Sequence, residues 1–355
     1  MESPRNLQNT KYTVMCDDIT HELTLLDILG EGGQGVVYAA LWDGASVACK
    51  VSPIDHKRGT CAVHSEYYLL RGIRDVTRVP RPIALIGMLE MEMMVMERLD
   101  RSLSNMLEET KLPFSELVAI RICSDIIKLL RGMHGKNLAY LDLKPANIMV
   151  GFGEKGHVLH LVDLGCVYKL DTPQKNVGTP LFSSTACHRG DVVHAVDELE
   201  SLAYLTAHLM HGLLWVGHVM GKKKYTPRIF AKILEAKTNI TPEQLFPKSL
   251  KMQEYMREIN AIKLGQTELN YDKLLEMLTT DTPYTWPCRS IPINILSTTT
   301  AADIKDAIID KYCVTIAPDI EPTPPPMIQQ LADEIAATGK SLEKILLDKT
   351  KKRRT

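Results

Sequence analysis

The residues most informative about this chain are YLDLKPAN at 140–147, followed by the apolar run IMV at 148–150 and, after a turn-like insert, by LVDLG at 161–165. Asp142, Lys144, Asn147 and Asp163 stand in this stretch between strongly apolar pieces. Because burying a polar side chain costs free energy unless it is paired, this arrangement indicates a functional site.

One kind of chemistry uses all four polar residues. A carboxylate such as Asp142 orients a hydroxyl and accepts its proton, while an ammonium such as Lys144 neutralises charge on a phosphoryl group in transfer. Amide and carboxylate oxygens, as on Asn147 and Asp163, suit Mg²⁺. The stretch therefore predicts Asp142 and Lys144 as catalytic residues, and Asn147 and Asp163 as metal ligands.

A glycine-rich segment, GEGGQGVV at 30–37, lies between predicted strands at 25–29 and 36–40. Glycine lets backbone amides approach phosphate oxygens without an intervening side chain. Dinucleotide sites share the G-x-G-x-x-G pattern, but they need a helix after the glycines, whereas β-branched residues and another strand follow here. The segment is typical of a flap over nucleotide phosphates, and a glycine-rich hairpin without a ligand is the alternative.

A lysine, Lys50, lies in the third predicted strand at 47–51, after a hairpin turn predicted at 42–44. A lysine inside an apolar strand is rare without a partner. The helix predicted over 60–72 carries Glu66, so we expect an ion pair between Lys50 and Glu66, with the lysine reaching the α- and β-phosphates. The alternative is two unrelated surface residues, and any glutamate on this helix could face solvent.

Further strands are predicted at 83–87 and 91–96, and the polar run ERLD at 97–100 ends the second of them. Helices are predicted over 102–109 and 115–134, the second from the helical spacing of its apolar residues. We expect Ser115 to cap this second helix and Gly135 to end it.

The motifs, in this order and spacing, resemble those of the protein kinases. The usual Ala-Pro-Glu is absent, and GTPLFSS at 178–184 stands in its region. This segment, the helix DELESLAY at 197–204 and pieces at 223–225, 241–245 and 271–275 resemble the casein kinase 1 superfamily, which includes the vaccinia-related kinases. The resemblance covers residues 24–280.

The resemblance implies an α+β fold of two lobes, a small antiparallel β lobe with one helix over residues 22–96 and a larger, mainly helical lobe over 97–316. Residues 1–21 would form an N-terminal extension with a loosely ordered start over 1–19. Residues 317–355 would form a Pro-rich linker, a short helical segment and a basic tail that is either a nuclear-import signal, a contact for an acidic surface or a solvated tail.

The implied activity is transfer of the γ-phosphate of Mg-ATP to a Ser or Thr hydroxyl of a protein substrate. ATP would lie between the lobes and contact the glycine-rich segment, the neighbouring strands and the hinge, at Gly30, Glu31, Gly32, Gly33, Gln34, Gly35, Val37, Ala48, Lys50, Met96, Glu97 and Leu99. Two other classes stay open, a kinase-fold scaffold that binds ATP or a partner without transfer and a small-molecule phosphotransferase.

The chain departs from the family pattern at several positions, among them Leu164 in place of a phenylalanine, an apolar-for-apolar change. Leu141 replaces an arginine that pairs with a phosphorylated activation loop; because leucine has no charge or donor, we expect activity without such phosphorylation. Leu181 stands where casein kinase 1 enzymes carry an arginine, which argues against phosphate-primed substrates. Glu198 stands where the family has an aspartate that anchors the catalytic loop, with Asp197 as a possible stand-in.

Composition is ordinary for a globular protein of 355 residues with a formal net charge of −1, so bulk charge predicts no nucleic-acid partner. The 8 cysteines include no C-x-x-C pair, which indicates free thiols in a reducing, intracellular compartment, cytoplasmic or nuclear. No signal-peptide pattern opens the chain. Residues 202–220 lack Lys, Arg, Asp and Glu, and we expect a buried helix there rather than a membrane span. We also expect a monomer.

Overall fold

The computed structural model describes residues 4–16, 18–32, 35–54, 61–218 and 226–280. Several sequence predictions lie outside these ranges. They are Gly33 and Gln34 of the glycine-rich segment, the piece at 223–225, the end of the larger lobe at 281–316, and the linker and tail at 317–355.

Six antiparallel strands form the smaller lobe, in the order β1-β2-β3-β4-β6-β5. They are β1 (Lys11–Cys16), β2 (Ile19–Gly32), β3 (Gly35–Trp42), β4 (Ala45–Pro53), β5 (Pro82–Gly87) and β6 (Met91–Met96). Helix α1 (Ala62–Ile73) lies between β4 and β5 in sequence and packs against β4, β5 and β6. The five strands and the helix predicted from the sequence are confirmed.

The turn between β3 and β4 is the predicted hairpin. Asp43 and Gly44 both have positive φ, at 50° and 82°. Two consecutive residues of this kind make a type I′ turn, whose twist matches that of the paired strands.

The start of the chain differs from the sequence prediction of loose order over residues 1–19. Strand β1 pairs with β2 from Lys11 opposite Thr24 to Cys16 opposite Ile19. Leu7 is buried against the sheet, and Tyr38 Oη donates to the carbonyl of Pro4. The prediction failed because β1 is an edge strand of alternating exposed and half-buried residues. Such a strand lacks the short apolar run from which the other strands were predicted.

The larger lobe is mainly helical, as predicted. Its helices are α2 (Leu103–Thr110), α3 (Glu116–Gly135), α4 (Thr185–Arg189), α5 (Ala195–His211), α6 (Pro227–Asn239), α7 (Pro242–Leu245), α8 (Leu250–Lys263) and α9 (Tyr271–Met277). Short strands connect them: β7 (Leu99–Ser102), β8 (Leu138–Ala139), β9 (Ile148–Gly151), β10 (Leu159–Leu161), β11 (Tyr168–Lys169), β12 (Thr172–Pro173) and β13 (Val192–Val193).

Helix α5 runs through the core of the larger lobe. Twelve of its side chains are buried, among them Leu202, Tyr204 and Leu209, so the uncharged segment that begins at residue 202 starts inside a core helix, as predicted. Among the residues that the structure describes, no helix is long and apolar enough to cross a membrane.

Candidate active site

The loop at residues 140–147, called the catalytic loop from its resemblance to the kinase motif, connects β8 to β9. It holds Asp142 in one orientation. Its carboxylate accepts hydrogen bonds from Lys144 Nζ at 2.7 Å and Asn147 Nδ2 at 3.0 Å on one oxygen. Pro145 opens the short helical turn that carries Asn147; its fixed φ suits this position. Asp142 and Asn147 are buried, so the charged lysine and the amide stabilise a carboxylate that has left bulk water.

Helix α5 anchors this loop through Glu198. Its carboxylate accepts the backbone N–H groups of Tyr140 and Leu141, each at 2.9 Å. His134 Nε2 lies 2.8 Å from the same carboxylate, and His134 Nδ1 lies 2.5 Å from Tyr271 Oη. Donation from Nε2 to Glu198 leaves Nδ1 of a neutral imidazole to accept from the tyrosine.

The suggestion that Asp197 stands in as the anchor is therefore wrong. The extra methylene of Glu198 is accommodated, and its carboxylate reaches both loop amides. Asp197 turns elsewhere: it lies 2.8 Å from Lys263 Nζ and accepts the backbone N–H of His194 at 2.8 Å.

Asn147 and Asp163 lie at the same end of the β9–β10 hairpin. Ile148 pairs with Leu161, and Val162 donates its N–H to the carbonyl of Asn147 at 3.0 Å. Asp163 is the next residue after Val162, which places it at the same end of the hairpin as Asn147. Asp163 has a left-handed backbone with φ 57° and accepts the N–H of Gly165 at 3.3 Å.

This donor set fits Mg²⁺. Asn147 uses its amide nitrogen for Asp142, so its amide oxygen is the atom left for a metal beside the carboxylate of Asp163. No cluster of three or more His, Cys, Asp or Glu that could hold a metal occurs in the described part of the chain. Two protein oxygens plus phosphate oxygens is the arrangement that Mg²⁺ commonly takes with nucleotides.

Lys50 and Glu66 form an ion pair between β4 and α1. Their side chains are 10% and 11% exposed, which excludes the alternative of two unrelated surface residues. Lys50 also lies opposite Val37 on β3 and Met94 on β6. The pair fixes α1 against the sheet and holds the lysine in the interior of the lobe.

The glycine-rich segment forms the end of β2 and the start of β3, where Gly32 pairs with Gly35. A Cβ on Gly35 would lie 2.2 Å from the carbonyl oxygen of Val51, so only glycine fits beside β4. Gly30 and Gly32 have nothing within 4 Å of a Cβ position. Glu31 between them forms an ion pair with Arg5.

The polar run at residues 97–100, which the kinase resemblance makes the hinge between the lobes, begins directly after Met96, the last residue of β6. Glu97 accepts the N–H of Arg81 at 3.2 Å and lies 3.3 Å from Lys155 Nζ. Leu99 is buried and pairs with Gly151 on β9. Ala48, on β4, lies opposite Met96. The residues expected to contact the adenine of ATP thus come from adjacent strands and from the connection between the lobes.

Arg98 is a hinge residue that the sequence analysis did not single out. Its guanidinium lies 4.6 Å from the ring centroid of Phe152 and donates to Ser46 Oγ at 3.0 Å. These contacts join the hinge to a strand of the small lobe and to the β9–β10 connection. Burial lowers the pKa of Arg98, and the charge of Asp100 opposes this shift.

The Gly-Thr segment, residues 178–184, lies against the catalytic loop. Thr179 Oγ1 donates to Asp142 at 2.7 Å. A Cβ on Gly178, whose φ is +73°, would lie 2.0 Å from the carbonyl oxygen of Leu141. No role for Thr179 is predictable from the sequence, because a contact across 37 residues leaves no local pattern.

A buried ionic network contacts the first residue of α4. Glu200 on α5 accepts the N–H of Thr185 at 3.2 Å and pairs with Lys263 of α8. Burial opposes ionisation of Glu200, but the charge of Lys263 with hydrogen bonds from Lys263, Tyr204 and Thr185 outweighs it, and the pKa is lowered. For the same reason the pKa of Lys263 is raised despite burial.

Five cysteines in the described part of the chain are free thiols: Cys49, Cys61, Cys123, Cys166 and Cys187. Burial raises the pKa values of Cys49 and Cys123 to about 12. Cys166 follows Gly165 beside the site, and burial raises its pKa to about 11, with further contributions from the charges of Asp142 and Asp163. These thiols are poor nucleophiles at neutral pH.

A family model for the protein kinase domain matches residues 23–273. The match covers more than half of the chain and includes every site residue described above.

Proposed function

This chain belongs to the protein kinase domain family, and we propose that it is an active serine/threonine kinase that transfers the γ-phosphate of Mg-ATP to hydroxyls of protein substrates. The family implies ATP as the phosphoryl donor and a protein as the acceptor. Catalytic competence, the preference for serine and threonine, and a place in the casein kinase 1 superfamily with the vaccinia-related kinases are our proposals.

The observation that carries the proposal is the surroundings of Asp142. Its carboxylate has donors on both oxygens, from Lys144 and Asn147 on one and from Thr179 on the other. A base held in one orientation accepts the proton of an incoming hydroxyl without reorganisation, and Lys144 offsets negative charge as the phosphoryl group moves.

The other site residues complete a phosphoryl-transfer site. Lys50, steadied by Glu66, would hold the α- and β-phosphates, and the glycines from 30 to 35 would cover them. Asn147 and Asp163 would hold Mg²⁺, which supplies charge neutralisation between the phosphates when bound. Each of these roles is part of the proposal.

Two departures from the family pattern would support the scaffold alternative, the glutamate at 198 and the arginine replaced by Leu141. The first is weakened, because Glu198 accepts both loop amides, while the arginine is still absent. Lys144, two residues after Asp142, and the Asp-x-Lys-x-x-Asn order favour a Ser/Thr protein kinase over a small-molecule phosphotransferase.

Setting and assembly belong to the same proposal. We place the enzyme in a reducing cytoplasmic or nuclear environment, since its sequence holds no C-x-x-C pair and buried cysteines such as Cys49 and Cys123 are free thiols. We propose that it acts as a monomer.

The test is transfer of labelled γ-phosphate to casein, with phosphoamino-acid analysis of the product and sugars and aminoglycosides as rival acceptors. We expect phosphoserine or phosphothreonine from the wild type and none from Lys50→Met. Mg²⁺-dependent ATP binding without transfer to any acceptor would favour the scaffold, and transfer only to small molecules would favour the phosphotransferase.

A further inference from the structure

Helix α6 carries a lysine where an apolar residue is expected. Lys237 continues the buried face formed by Ile229 and Ile233, at helical spacing, and is 4% exposed. Burying an ammonium is costly, and here burial lowers the pKa of Lys237 to about 7, against the raising effect of Glu200 and then Cys187.

Two backbone carbonyls and an imidazole surround the side-chain nitrogen of Lys237. Its Nζ donates to the carbonyl of Ser183 at 2.5 Å and to that of Pro180 at 2.8 Å. His188 Nε2 lies 3.2 Å from Lys237 Nζ and 3.1 Å from the same carbonyl of Pro180. Burial and then the charge of Lys237 lower the pKa of His188 to about 4, so the imidazole adds no second positive charge beside the lysine at neutral pH.

Two aromatic faces enclose the same group. Lys237 Nζ lies 4.7 Å from the ring centroid of Tyr204 and 5.4 Å from that of Trp215, within the range of cation–π attraction. Trp215 also donates its indole N–H to the carbonyl of Leu181 at 2.9 Å. We call Lys237 with His188, Tyr204 and Trp215 the lysine cage.

The lysine cage binds the Gly-Thr segment, the part of the chain that contacts Asp142. Pro180, whose carbonyl Lys237 binds, follows directly on Thr179, and Thr179 donates to Asp142 at 2.7 Å. The Gly-Thr segment is neither a helix nor a strand, so it has no backbone ladder of its own. Its own backbone hydrogen bonds are turn contacts, from Phe182 and Ser183 to the carbonyl of Thr179, and the contacts from α6 and Trp215 add to them.

We propose that Lys237 is a positioning residue for the protein acceptor: through the carbonyls of Pro180 and Ser183 it fixes the Gly-Thr segment beside Asp142, without a phosphate on that segment. The inference rests on the proposed function, because it assigns the acceptor side of that same site. The inference goes beyond the proposed function because it gives a role to Lys237, a residue of α6 that was not assigned to the site.

The test compares Lys237→Met, which keeps length but removes the donors, with Lys232→Met, an exposed lysine on the same helix. We expect Lys237→Met to raise the KM for casein at least tenfold and to lower kcat, while the Kd for Mg-ATP stays within twofold. Amide hydrogen exchange in residues 182–191 should quicken at least tenfold. Lys232→Met should match the wild type in all measurements.

A casein KM and an exchange rate within twofold of wild type in Lys237→Met would overturn the inference. If that variant fails to bind Mg-ATP, His188→Phe decides: it removes the ring nitrogen that lies 3.2 Å from Lys237 Nζ but keeps a ring beside Phe230. We then expect a smaller rise in casein KM, and an unchanged KM overturns the proposal. If the wild type transfers no phosphate at all, the proposed function fails, and hydrogen exchange alone still decides whether Lys237 fixes the segment.

Discussion

Glu198 joins three parts of the larger lobe through one carboxylate. It accepts the N–H groups of Tyr140 and Leu141 and contacts His134, and it is 1% exposed. An aspartate in this place would be one methylene shorter, so the loop and α5 are matched to a glutamate. The residue that looked like a defect in the sequence is part of a well-bonded support for the catalytic loop.

Replacing Glu198 with glutamine tests this support. Glutamine has the same size but one acceptor oxygen and no charge, and losing charge-assisted bonds costs about 1.5–3 kcal/mol. Expressed in the transition state, this lowers kcat about 10- to 100-fold, with the Kd for Mg-ATP unchanged. Steady-state kinetics and nucleotide titration measure both, and Glu254→Gln, on exposed α8 surface, is the control. A kcat equal to wild type would show that the loop needs no such anchor.

Gly178 packs tightly against the backbone of the catalytic loop, so that a side chain there has no room. An alanine there must displace the backbone, since its Cβ would lie 2.0 Å from the carbonyl oxygen of Leu141. A shift of about 1 Å at a reacting group can cost about 100-fold in rate, so we expect Gly178→Ala to lower casein phosphorylation by that order. Gly265→Ala separates strain from collision, because Gly265 has φ +70° but nothing within 4 Å. Equal activities of the two variants would contradict the account.

At the level of helices, strands and loops, features that depend on local sequence patterns could be predicted, and features that depend on tertiary contacts could not. The glycine-rich segment, a lysine within a strand and the loop at 140–147 are local patterns. They predicted the ion pair of Lys50 with Glu66 and the residues around Asp142. Thr179 and Lys237 reach their partners across 37 and 57 residues, and such contacts depend on packing that no local pattern encodes. The spacing of Ile229, Ile233 and Lys237 was the one available signal for the lysine cage.

Helix α3 shows how local signals suffice for an element. Ser115 Oγ accepts the N–H of Val118 at 3.4 Å, and the helix ends at Gly135, as predicted. Ser115→Ala removes this cap and should cost about 1 kcal/mol, which lowers Tm by about 2–4 °C for a lobe of this size. Thermal unfolding measures the shift. Casein phosphorylation at 25 °C should stay within twofold; a large loss of activity would mean that the cap also shapes the site.

At the scale of the whole molecule, buried contacts hold the Gly-Thr segment and α4 from three helices. Lys237 of α6, Glu200 of α5 and Lys263 of α8 supply these contacts, and Leu141 has no donor with which to bind a phosphate. Both facts favour an enzyme whose acceptor side is ordered without phosphorylation.

Phosphatase treatment tests this independence. We expect kcat and the KM for casein to stay within twofold after complete dephosphorylation, verified by intact mass. A kinase that requires an activation-loop phosphate, treated in parallel, controls for phosphatase action. A loss of activity that returns on autophosphorylation would show that a phosphate orders the site.

The central claim is that Asp142 acts as the base of an active kinase, and one comparison tests it most directly. Asp142→Asn keeps the size of the side chain but removes its capacity to accept a proton. Single-turnover transfer from Mg-ATP to casein should fall by about 10²- to 10⁴-fold, while the Kd for Mg-ATP stays within twofold of wild type. Transfer by Asp142→Asn within tenfold of the wild-type rate would contradict the account.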